Sequence, residues 1–119
     1  MNIVFDVSDT VLQQMVQAIV KECDPEQVIL FGSRASQTNR PDSDVDLLVI
    51  TRHAFISGRN RVKEIARLER ALKGIKIPTD ILLFSREEME KWRDSLNHVA
   101  GRALREGKVL YERSENRPG

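Results

Sequence analysis

Two short β-rich runs, Val45 to Ile50 and Thr79 to Phe84, bracket one long stretch of helical periodicity between Arg59 and Lys73. This succession constrains the fold more than any other feature of the chain. Val62, Ile65, Leu68 and Leu72 recur at the spacing of one helix face, and Gly74 is placed to close the helix. A strand, a helix and a second strand in that order normally form a right-handed crossover, which makes the two strands parallel. Their N-terminal ends then fall side by side, and residues at those ends become neighbours.

The rest of the chain supplies elements to complete a small sheet. Val11, Leu12, Met15, Val16, Ile19, Val20 and Cys23 share a helix face behind Ser8, a suitable N-cap, and Asp24-Pro25 ends that helix. Val28 to Phe31 reads as a buried strand bounded by Gly32, and a polar loop from Ser33 to Ser43 follows it. After the third strand, Ser85 to Glu88 forms a capping box that opens a helix lined by Met89, Trp92, Leu96, Val99 and Ala103 and ended by Gly107. Val109 to Tyr111 reads as an edge strand. The expected class is α/β, a small mixed β-sheet packed with helices, in one domain over residues 1–113 with a flexible tail over 114–119.

The chemistry-bearing residues gather where these elements meet. Asp44 and Asp46 alternate with one residue between them, so both point to one side of a strand, about 7 Å apart. Asp80 interrupts an otherwise apolar run at the start of the next strand. If the first strand runs antiparallel to the second, Gly32 and Ser33 join the same spot. Like charges so close raise one another's pKa and call for a cation. Oxygen ligands of this kind suit Mg²⁺, and a pair of such ions can serve displacement at phosphorus. Gly32 allows the backbone to approach a phosphate closely, Ser33 can donate to its oxygens, and Arg34 and Arg40 can neutralise further charge.

The order Gly-Ser, ten residues, Asp-Val-Asp and a later strand aspartate resembles that of the minimal nucleotidyltransferases of the DNA-polymerase-beta-like superfamily. The stretches from Asp80 to Trp92 and from Gly101 to Glu112 are similar to the closing strand, helix and strand of short prokaryotic members. The resemblance implies a polymerase-beta-like nucleotidyltransferase fold and transfer of AMP from ATP with two Mg²⁺ ions. It implies that Gly32, Ser33 and Arg34 hold the nucleotide, that Asp44 and Asp46 bind both metals, and that Asp80 binds the catalytic metal and activates the acceptor hydroxyl. It further implies an antitoxin that adenylylates a HEPN-type ribonuclease toxin. One position departs from the pattern: Gln37 stands where many relatives carry a second glycine.

Composition narrows the alternatives. Nineteen basic residues against eighteen acidic give a net charge of +1, which argues against a general nucleic-acid binder. The lone Cys23 permits no intrachain disulfide, and no run approaches the roughly 20 apolar residues of a membrane span, so a cytoplasmic protein is expected, free to form homo- or hetero-oligomers. With 119 residues there is little room for a separate acceptor-binding domain, so another protein is expected to present the acceptor. The competing readings are a catalytically idle module that silences its partner by covering it, and, less favoured, a small-molecule nucleotidyltransferase. His98 is expected on the solvated side of its helix and Trp92 in the core. The basic residues from Arg59 to Lys76 read as a helix's polar face, some of them able to meet an acidic partner.

Overall fold

The computed structural model describes residues 9–32, 35, 44–55, 58–95 and 98–113. Helix α1 spans Asp9–Cys23 and strand β1 Gln27–Phe31; β2 covers Val45–Thr51, α2 Arg61–Ala71 and β3 Thr79–Ser85. Helices α3 (Arg86–Trp92) and α4 (Val99–Glu106) precede strand β4 (Lys108–Glu112). The expected N-cap Ser8 and the 114–119 tail lie outside the described residues.

The four strands form one mixed sheet in the order β3-β2-β1-β4. Strands β2 and β3 are parallel, joined by the α2 crossover, and β1 runs antiparallel to both β2 and β4. Alternation along the strands sends side chains to two layers. Val28, Leu30, Val45, Leu47, Val49, Ile81 and Leu83 meet α1 and α2 through Leu12, Met15, Ile19, Leu68 and Leu72. Ile29, Leu48 and Ile50 meet α3 and α4 through Met89, Ala100 and Ala103, with Phe31, Leu82 and Phe84 alongside. The sheet is covered on both faces, which is why β2 reads as a continuous apolar run rather than an alternating one. No described helix is long and apolar enough to cross a membrane.

Several local features follow the sequence closely. Asp24 ends α1 in the left-handed region at φ 45°, and Pro25 follows it. The capping box is complete: Ser85 Oγ accepts the Glu88 N–H at 3.1 Å, and Glu88 Oε1 accepts the Ser85 N–H at 2.9 Å. The Arg61 guanidinium also binds Glu88 while lying over the Phe55 and Phe84 rings, tying the start of α2 to the start of α3. Cys23 packs against the α1–α2 core layer.

Five expectations are corrected. Gly74 does not cap α2: a 3₁₀ turn over Lys73–Ile75 continues the helix, held by the packing of Leu72 and Ile75, and the left-handed residue is Lys76 at φ 60°. Val62 is not part of the buried face, being 75% exposed. The long helix from Arg86 to Gly107 is two helices. Ser95 N–H closes a tight turn on Trp92 O, and the Arg105 guanidinium donates to the carbonyls of Arg93 and Ser95. Val99, expected to line the core, is exposed at the start of α4. His98 is the N-cap of α4 rather than a solvated side chain: its Nδ1 accepts the Ala100 N–H at 3.1 Å, and its ring stacks on Trp92 with centroids 4.2 Å apart. Leu96 lies outside the described residues.

Candidate active site

One end of the sheet gathers the C-terminal end of β1 and the N-terminal ends of β2 and β3. The antiparallel register sets Phe31 opposite Asp46, and the parallel register sets Asp46 opposite Asp80. The Val45 N–H donates to Pro78 O at 2.9 Å and fixes this register at the mouth of the β2–β3 pair. Both aspartates lie on the α3/α4 side of the sheet, since their neighbours two residues on, Leu48 and Leu82, pack there. Asp44, just before β2, is exposed at the same end.

Gly32 closes the site from β1. It has φ +77°, and a Cβ built there would stand 2.2 Å from Asp46 Oδ2. Glycine is therefore required twice, for the left-handed backbone and for the close approach of a carboxylate. The chain then turns, with the Ala35 N–H donating to Gly32 O at 3.2 Å. Ser33 and Arg34, expected to hold the nucleotide, lie outside the described residues, as do Gln37 and Arg40.

The electrostatics of the cluster centre on Asp46. Burial pushes its carboxyl above the ordinary range, the charges of Asp80 and Asp44 push it further, and a hydrogen bond with the Asp80 side chain adds to the shift. Asp80, opposite Asp46 in the β2–β3 register, is thus its nearest like charge, and Asp44 acts on Asp46 through its charge as well. Among the described residues, no three His, Cys, Asp or Glu groups are drawn together into a metal-binding group. The donor set nevertheless fits a hard cation. It is all oxygen, it carries adjacent like charges that a proton or cation must offset, and it opens at a glycine turn.

The groups expected to converge from sequence do so where they are described: Gly32, Asp46 and Asp80 meet, and Asp44 flanks them. His53, His98 and Cys23 belong to other parts of the fold. A feature missed from sequence is a groove of about 390 Å³ on the opposite face at the same end of β3, lined by Lys73, Lys76 and Thr79 among others. Its lysines follow α2 directly and are indistinguishable in sequence from a solvated helix face. A larger groove of about 460 Å³, between α1 and β4, lies away from the carboxylates.

Comparison with known proteins bears on the family and the fold. The family model of the polymerase beta nucleotidyltransferase domain matches residues 13–116. The chain belongs to that nucleotidyltransferase family. A solved structure from Sulfolobus solfataricus, designated a nucleotidyltransferase, superposes with a TM-score of 0.60 at 18% identity, covering 90% of this chain and 82% of the other. A toxin-antitoxin structure with AMP-PNP superposes with a TM-score of 0.50 at 20% identity, covering 86% and 74% respectively. Both likenesses concern the fold. No curated protein matches the chain.

Proposed function

We propose that this chain transfers AMP from ATP to a hydroxyl of a partner protein, and that it is the antitoxin of a HEPN-type ribonuclease. The observation that carries the reading is the register that sets Asp46 opposite Asp80 at the mouth of β2 and β3, beneath the close approach of Gly32. The family match supports nucleotidyl transfer, and the fold likeness to a toxin-antitoxin structure holding AMP-PNP supports the nucleotide and the kind of partner.

Asp44, Asp46 and Asp80 would hold Mg²⁺, which when bound offsets the phosphate charge and makes an adjacent hydroxyl more acidic. The Gly32 turn, with Ser33 and Arg34, orients the triphosphate so that its α-phosphorus faces the carboxylates. Asp80 is exposed, so an acceptor from outside can reach it. The acceptor oxygen forms a bond to the α-phosphorus while the bond from that phosphorus to the bridging oxygen breaks. Pyrophosphate leaves with the electron pair, and the hydroxyl proton passes to the Asp80 carboxylate.

Replacing Asp44 and Asp46 by asparagine tests the reading in cells that express the ribonuclease. The account expects the doubly substituted protein to fold and still bind the ribonuclease but to lose protection. Full protection by that variant would mean that neutralisation works by covering the partner.

A further inference from the structure

We infer that the acceptor is presented as an extended segment that adds to the free edge of β3, with a hydroxyl side chain beside Asp80 and an acidic neighbour in the Lys73/Lys76 groove. This inference rests on the transfer reading above and concerns how the acceptor is recognised.

The two edges of the sheet differ. At β4, Val109 pairs with Ile29 and Tyr111 with Val28, which leaves Leu110 as a bulged residue. Bulges blunt an edge against further pairing. Strand β3 carries no such device: it pairs with β2 in unbroken register from Thr79 to Ser85. Because the Val45 N–H donates to Pro78 O, the peptide groups of Pro78, Asp80 and Leu82 face β2, and those of Thr79, Ile81 and Leu83 face outward. Ser85, the next outward residue, gives its N–H to Glu88 of the capping box. The outward groups of Thr79 and Ile81, on either side of Asp80, have no partner among the described residues, whereas Leu83, 2% exposed, is covered. Two consecutive outward residues leave donors and acceptors for a short added strand.

An added strand would lie about 4.8 Å from β3 and share its alternation of faces. A residue placed next to Asp80 would point to the carboxylate side of the sheet. The residues before and after it would point to the other face, where Glu69, Lys73, Lys76, Pro78, Thr79 and Ile81 line the groove of about 390 Å³. Both lysines are exposed, and neither has an ion-pair partner among the described residues. Two lysines against one glutamate favour an acidic side chain at the adjoining position. The edge thus couples the reacting hydroxyl to a charge read on the opposite face.

The test uses synthetic blocked peptides of alternating valine and threonine with a central tyrosine, flanked on both sides by glutamate or by lysine. Amide NMR of the full chain reads binding, and mass spectrometry with ATP and Mg²⁺ reads transfer. The expected result is slowed exchange and shifted resonances at the Thr79 and Ile81 amides. The glutamate peptide should bind about fivefold more tightly than the lysine peptide, as two exposed ion pairs allow. Substitutions Lys73→Glu and Lys76→Glu should abolish that preference, and N-methylation of the peptide's edge-facing amides should abolish binding. Binding elsewhere, no binding, or binding without charge preference would overturn the inference. So would an RNA oligonucleotide that occupies the lysines better than the peptides do. AMP transfer without protection of Thr79 and Ile81 would refute edge recognition while leaving the transfer reading intact. Protection without transfer would do the reverse.

Discussion

Replacing Gly32 by alanine separates the two reasons for glycine at that position. The left-handed backbone, φ +77°, costs a residue with a Cβ roughly 1–2 kcal/mol. The new methyl would also stand 2.2 Å from Asp46 Oδ2, so the carboxylate must retreat. A retreat of about 1 Å restores ordinary contact, and a displacement of that size in a reacting group can cost about 100-fold in rate. Because the obstructing atom is the far end of a side chain that can rotate, the added loss of stability should stay near 1 kcal/mol. Gly58 is the control: its φ is +92°, and a Cβ there meets nothing within 4 Å. Urea denaturation should therefore find Gly32→Ala and Gly58→Ala within about 1 kcal/mol of each other, each 1–2 kcal/mol or somewhat more below the wild type. Transfer of AMP from α-labelled ATP to the partner should fall about 100-fold in Gly32→Ala only. Equal transfer by the two variants would refute the placement of Asp46 against Gly32.

Other outcomes follow from the same structure. The folded-state pKa of Asp46 is raised above the ordinary 3.8, so without metal its ionisation opposes folding: stability should fall as pH rises from about 3.8 through the raised folded value. Asp46→Asn should remove that dependence and raise stability at pH 7 by about 0.5 kcal/mol, the order of a cross-strand like-charge pair, as read by urea denaturation in EDTA. Ser85→Ala, at a buried cap 1% exposed, should cost about 1–2 kcal/mol by urea denaturation. His98→Asn should keep the α4 cap but lose the Trp92 stack, whereas His98→Ala loses both and should be about 1 kcal/mol less stable than His98→Asn by the same method. Burial pushes the Cys23 thiol up to about 11 from 9.0, so iodoacetamide at pH 8 should alkylate it about 100-fold more slowly than a free cysteine.

The gathering of Gly32, Asp46 and Asp80 in the candidate site was legible in the sequence because their placement obeys short-range rules. The crossover dictated parallel strands, their register brought Asp46 beside Asp80, and Asp80 stood out as a charge in an apolar run; Asp44, read as part of the strand, lies just before it. What sequence did not supply were outcomes decided by tertiary contact. The α3–α4 break depends on Arg105 reaching back to the carbonyls of Arg93 and Ser95. The role of His98 depends on its stacking with Trp92, and the end of α2 depends on core packing of Leu72 and Ile75, which carries the chain past Gly74. The Lys73/Lys76 groove was illegible for a different reason. Two lysines after a helix look like solvated charge until the sheet edge beside them is known.

The most direct measurement is the intact mass of the proposed HEPN-type partner after incubation with this protein, ATP and Mg²⁺, beside an Asp44→Asn, Asp46→Asn control. The account predicts a gain of one or more AMP units with the wild type and none with the control. An unchanged mass in a stable complex would contradict transfer to the partner as the central activity.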